Sequence, residues 1–151
     1  VVEFALELAR RKALAAEAVC DAGDVILSSD TVVFCDGQIL GKPRDEEDAF
    51  RILSLLSGRD HQVMTGIAVR RGSQCAVCTE VTDVTFRPLT DAEIDAYIAT
   101  GEPMDKAGAY GIQGKAGIFV SRIDGDYFNI VGLPVCLVGR ILTKHFGFQL
   151  I

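Results

Sequence analysis

An α/β fold, with helices and strands alternating along one domain, is what this sequence predicts. Hydrophobic patterns of helical and of strand period take turns along the chain. Short Gly, Asp and Pro turn signals separate them, with no linker, internal repeat or low-complexity tract. At 151 residues and 49% hydrophobic content, the chain suffices for one compact domain with a real core.

The elements follow in order. Val1 to Val19 reads as a helix, with Phe4, Leu8 and Ala15 among its buried candidates. Asp24 to Ser28 is a short apolar strand that runs into Asp30, so Asp30 is expected just past a strand end. Thr31 to Phe34 and Gln38 to Leu40 flank Asp36-Gly37, a hairpin signal. Asp45 begins a helix whose apolar face is Ala49, Ile52, Leu53 and Leu56, and Gly58 closes it. His61 to Arg70 and Gln74 to Phe86 alternate as two long antiparallel strands joined at Arg71-Gly72-Ser73. Thr90 to Glu93 is a capping box that opens a helix through Tyr97 and Ile98. A glycine-rich loop follows. Ile118 to Ile123 and Tyr127 to Val131 read as a further strand pair around Asp124-Gly125-Asp126, and Pro134 starts a last helix that reaches about His145.

Composition narrows the function. A net charge of −6 argues against duplex nucleic acid or an anionic membrane as partner, since either needs a basic face. It leaves room for a small phosphorylated substrate. Apolar runs such as Ile130 to Val138 are broken by Gly132 and Pro134 and are too short to cross a bilayer. Charged residues interrupt the first segment, so no signal peptide is expected at Val1. Of the five cysteines, only Cys75 and Cys78 have metal-like or redox-like spacing, and no second pair accompanies them. Each cysteine is expected as a buried or half-buried structural thiol, in a reducing, cytoplasmic compartment.

The segment from Gly101 to Gly114 is the strongest chemical signal. Four glycines share it with Glu102, Asp105, Lys106 and Gln113. Glycine lets a backbone approach a ligand closely, at a conformational cost that a plain connection would not justify. The mix suits an anion cradle. Asp30 suits either a reactive group at a strand end or a turn cap through Ser28 and Ser29, and both readings stay open. Lys42, stiffened by Pro43, is weak evidence alone; Lys106, beside Asp105 in the loop, is better placed. Lys115 reads as an exposed turn residue. Arg59 and His61 read as charges complementing a helix C-terminus. His61 and His145 lie too far apart in sequence to suggest a metal site. No nucleophile elbow, Walker loop or dinucleotide fingerprint is present.

Five segments, in order, resemble the signatures of the Maf family. They are Ser29-Asp30-Thr31-Val32-Val33; Gly41-Lys42-Pro43; Leu56 to His61 with Thr65-Gly66; the loop Gly101 to Gly114; and Gly125 to Pro134. The resemblance runs from about Leu8 to Leu142. It implies a nucleoside triphosphate pyrophosphatase, which releases pyrophosphate and leaves the monophosphate. The implied fold is elongated and two-lobed, with a mixed, strongly twisted sheet and flanking helices, as in the inosine triphosphate pyrophosphatases. A divalent cation (Mg²⁺ or Mn²⁺) and a homodimer come with the resemblance.

Carried over by position, Asp30 matches the proton acceptor that activates water, and it is also the candidate metal contact. Lys42 and Lys106 match positions at the triphosphate, where they offset growing charge. Asp105 lies toward the phosphates. Thr31 and Gln113 match positions that separate the branches, and their identities resemble the branch acting on dTTP and UTP, with modified pyrimidine nucleotides an open extension. A glutamine both donates and accepts, which suits a base edge.

One departure is plain. The family opens with a Ser-x-Ser-Pro-Arg-Arg loop and a later metal-associated glutamate, and this sequence contains neither. The expectation is therefore a single domain over 1–151, truncated at its N-terminus and weakly active or inactive as it stands, the complete protein being the enzyme. The alternative is a non-catalytic nucleotide-binding or septum-regulating protein. A purine preference is a third option, opposed by Thr31 and Gln113.

Overall fold

The computed structural model describes residues 1–151. Five strands form one sheet: β1 (Ile26–Cys35), β2 (Gln38–Leu40), β3 (Asp60–Arg71), β4 (Gln74–Phe86) and β5 (Val120–Asp124). Their order is β2-β1-β3-β4-β5. The helices are α1 (Val2–Glu17), α2 (Glu46–Leu56), α3 (Asp91–Ile98), α4 (Tyr127–Val131) and α5 (Val135–Phe146). The α/β class holds. Every strand pairing is antiparallel, however, where the family resemblance implies a mixed sheet. Hairpins join β1 to β2 and β3 to β4, whereas parallel neighbours need a crossover. At the first hairpin Asp36 and Gly37 both take positive φ, at 49° and 77°, as a twisted two-residue turn demands.

Local signals set the helix ends as their chemistry requires. Asp45 accepts a hydrogen bond from the Asp48 amide at 2.7 Å and opens α2. Thr90 and Glu93 exchange the reciprocal bonds of a capping box at α3. The segment Tyr127–Val131 departs from expectation, because it is a helix and not a strand. Its aromatic and β-branched residues favour a strand. Asp126 instead accepts from the Phe128 amide at 2.8 Å, and Gly132 ends the turn at φ 119°.

α1 also buries a different face. Ala5, Ala9 and Ala13 are buried, while Phe4 is 48% exposed, Ala15 is exposed and Leu8 is only half-buried. The reason is Gly66 on β3. A Cβ there would collide with the Ala5 carbonyl and come within 2.9 Å of the Leu6 nitrogen. A helix packed that closely can present only alanine to the sheet.

Alternation along β3 divides the molecule. Met64 and Ala68 face α1. On the opposite face, Val63 joins a large core with α2, α3 and the glycine-rich loop. Further along that face, Ile67 and Val69 pack with Val138, Ile141 and Phe146 of α5. Thr65 lies between the two packed bodies. The cysteines are more varied than expected: Cys35 is buried and Cys78 half-buried, but Cys20, Cys75 and Cys136 are exposed, and all five are free thiols. No helix is long and apolar enough to cross a membrane.

Candidate functional site

A cleft of about 470 Å³ opens between the sheet with α4 on one side and the glycine-rich loop on the other. Thr31 and Val33 of β1, Val63 of β3, and Ile130 and Val131 of α4 form one side. The glycine-rich loop supplies the other, including Asp105, Lys106, Tyr110 and Gln113.

The loop is folded around a carboxylate that sequence reading left without a role. Glu102 accepts from the Tyr97 hydroxyl at 2.9 Å and from the Lys115 amide at 3.2 Å. The same tyrosine hydroxyl accepts from the Gly111 amide at 3.2 Å. A Cβ at Gly114 would collide with the Glu102 carboxylate, so glycine is required for that close approach. Burial pushes the Tyr97 phenol above its ordinary range, so it remains a donor. Glu102 thus pins both limbs of the loop that carries Lys106 and Gln113.

Lys106 Nζ lies 2.8 Å from Asp105 Oδ1. That hydrogen bond, then the Lys106 charge, hold the Asp105 carboxyl below its usual range, and the Lys42 charge adds to the effect. Lys42 does not line the cleft. It sits in the Gly41–Pro43 bend after β2, which the loop grips through a 3.1 Å bond from the Gly108 amide to the Gly41 carbonyl.

Asp30 departs from its expected position. It lies within β1, not beyond a strand end, and its side chain faces α1, opposite to that of Thr31. There it forms an ion pair with Lys12, whose ammonium also donates to the Ser29 carbonyl at 3.1 Å. β2 covers only Val33–Cys35, so the edge of β1 from Ile26 to Val32 has no neighbouring strand. Asp30 and Thr31 therefore flank one open edge from its two faces.

Behind Thr31 runs a buried polar chain. Its hydroxyl lies 2.8 Å from that of Thr65, and the Thr65 hydroxyl donates to the Asn129 carbonyl at 3.1 Å. The Asn129 side-chain amide donates to the Val63 carbonyl and to Thr82 Oγ1, each at 3.0 Å. His61 belongs to the core and not to a helix end. Its Nε2 lies 2.7 Å from the Tyr110 hydroxyl, and burial pushes its pKa down to about 4. Arg59 instead faces Asp36 at 3.5 Å.

Among the expected site residues, Thr31, Asp105, Lys106 and Gln113 meet in the cleft. Lys42 flanks it and Asp30 lies behind the open edge. Sequence reading missed Lys12, Glu102, Thr65 and Asn129. Glu102 stands as an acid inside a glycine-rich run, and Thr65 and Asn129 stand in segments that resemble the family's, but nothing local gave them a role. No group of three or more His, Cys, Asp or Glu side chains is arranged to hold a metal ion. The donor set fits a hard cation only as one carboxylate among phosphate and water oxygens, which is how Mg²⁺ is commonly held.

Comparisons with known proteins agree with the resemblance of the motifs. The profile described as "Maf-like protein" matches residues 2–145. A protein of Thermococcus onnurineus (strain NA1) named "dTTP/UTP pyrophosphatase" is 53% identical over 144 residues, covering 95% of this chain and 77% of that protein. One of the same name from Chromobacterium violaceum is 50% identical over 153 residues, covering 99% and 77%. Another, from Alkaliphilus oremlandii (strain OhILAs), is 50% identical over 151 residues, covering 99% and 78%. The profile spans every element that lines the cleft and nearly the whole fold from α1 to α5, and this chain belongs to the Maf family.

Proposed function

We propose that this protein hydrolyses dTTP and UTP to the monophosphate and pyrophosphate. The convergence of Thr31, Asp105, Lys106 and Gln113 on one cleft carries the reading. The apolar walls of Val33, Val63, Ile130 and Val131 suit a flat base, and the Lys106 ammonium on the facing loop suits a triphosphate. The names of the relatives support this choice of nucleotides.

In this reading Lys106 and Lys42 bind the triphosphate, and Asp105 orients Lys106 through their 2.8 Å bond. Thr31 and Gln113 meet the base. Asp30 accepts the proton of the attacking water, whose oxygen bonds to phosphorus as the link to pyrophosphate breaks. Lys12 holds that carboxylate in place at the strand edge. A divalent cation bound with the triphosphate would neutralise phosphate charge, and Asp30 is the carboxylate to hold it. The family resemblance extends the reading to a cytoplasmic homodimer using Mg²⁺ or Mn²⁺.

The test is pyrophosphate release by the natural gene product with dTTP, UTP, CTP and 7-methyl-GTP, in Mg²⁺ or Mn²⁺. Preference for dTTP and UTP is expected. No release, or equal release from all four, would reject the reading.

A further inference from the structure

Two oxygen–oxygen contacts behind the cleft fix the direction of a hydrogen-bond chain. Thr31 Oγ1 lies 2.8 Å from Thr65 Oγ1, which lies 3.1 Å from the main-chain oxygen of Asn129. Each contact requires one proton between its oxygens. A carbonyl has none, so the Thr65 hydroxyl must donate to Asn129. The proton between the two threonines must then come from Thr31. Thr65 is fully buried, so solvent cannot supply another arrangement. Asn129 is also fully buried, and both donor positions of its side-chain amide are engaged, by Val63 and Thr82. The accepting main-chain carbonyl is itself held by the Gly132 amide, which donates to it at 3.1 Å.

We infer that Thr31 presents itself to the cleft only as a hydrogen-bond acceptor, and that this polarity selects bases bearing a ring imide N–H. Thymine and uracil carry that donor, whereas the corresponding ring nitrogen of cytosine is itself an acceptor. Two acceptors facing each other in a partly desolvated site lose the bond and the solvation together. Gln113 cannot impose the same choice, because a free amide can rotate to exchange donor and acceptor. Thr65 is a positioning residue. It touches no nucleotide and acts by holding the Thr31 proton. The inference rests on the nucleotide reading proposed above.

The test compares kcat/KM for UTP, CTP and 3-methyl-UTP in the natural gene product and its Thr65→Val and Thr65→Ser variants. A ratio of two substrates is independent of the fraction of enzyme that is folded. Thr65→Val frees the Thr31 proton to point into the cleft, so the UTP-to-CTP ratio should fall by roughly fivefold or more. Thr65→Ser retains the acceptor and should restore the ratio to within about twofold. Wild-type enzyme should use 3-methyl-UTP, which lacks the imide proton, at least about tenfold less well than UTP. An unchanged ratio in Thr65→Val overturns the inference. So does equal use of UTP and 3-methyl-UTP by wild type, an arm that decides the matter even if Thr65→Val does not fold. Failure of wild type to hydrolyse UTP or dTTP at all overturns the functional reading and this inference with it. Normal UTP hydrolysis with unmoved ratios overturns the inference alone.

Discussion

Replacing Glu102 tests whether one carboxylate holds the cleft wall together. In Glu102→Ala, the Tyr97 hydroxyl loses its acceptor at 2.9 Å and the Lys115 amide loses its acceptor at 3.2 Å. Hydrogen bonds to a charged group are worth about 1.5–3 kcal/mol each. The Lys115 bond is exposed and water replaces much of it, so we assign about 2 kcal/mol to the pair together. For a domain of this size that corresponds to a melting shift of roughly 4–8 °C. Glu102→Gln keeps the shape and one acceptor, and should lose about half as much. The loop also carries Lys106 and Gln113, so KM for UTP should rise by roughly tenfold in Glu102→Ala, with kcat less affected. Thermal unfolding by circular dichroism and steady-state pyrophosphate release measure the two effects. A Glu102→Ala protein that melts within a degree of wild type with unchanged KM would refute the reasoning.

Three further perturbations have defined outcomes. Gly66→Ala drives a methyl into the α1 backbone at Ala5 and should cost about 2–3 kcal/mol in urea unfolding, because overpacking there can be relieved only by moving the helix. Asp30→Asn removes the proposed base and should lower kcat by about 100-fold or more, and Lys12→Ala, which only releases Asp30, should lower it less. The third concerns pH. His61 has a folded pKa of about 4 because it is buried, so between its ordinary value and about 4 the unfolded chain binds the extra proton. Stability should therefore be complete above the ordinary value and fall as pH drops through this window, by up to about 3 kcal/mol. Asp48 and Glu93, held down to about 2 by hydrogen bonds from Arg44 and Arg87, lose their contribution at lower pH. A His61→Gln variant should flatten the upper part of the profile, and an unchanged slope there would count against the assignment.

Local chemistry made much of the molecule legible in one dimension. The caps at Asp45 and Thr90 and the Asp36-Gly37 turn act through bonds or dihedrals within a few residues of themselves. The long alternation of β3 and β4 likewise needs no distant partner to be recognised. Expectations failed where a neighbour far along the chain decided the outcome. Phe4 and Ala15 suit burial by the helical pattern, but Gly66, some sixty residues away, draws α1 too close for anything but alanine. Tyr127–Val131 has the composition of a strand and is a helix, with the Asn129 side-chain nitrogen donating to the Val63 carbonyl and to Thr82 Oγ1.

The sequence by itself determined the family, the helix and strand segments set by local caps and turns, and the inventory of charged and polar groups in the glycine-rich loop. These depend on residue identity and short spacing. Only the tertiary structure decided which of those groups share a space. It gathered Thr31 with Lys106 and Gln113, turned Asp30 toward Lys12 on the far face, and made Glu102 the centre of the loop. Adjacent strand residues point in opposite directions, and a buried hydroxyl takes its polarity from partners remote in sequence. Thr65 and Asn129 therefore acquire their meaning only when the sheet brings them behind Thr31.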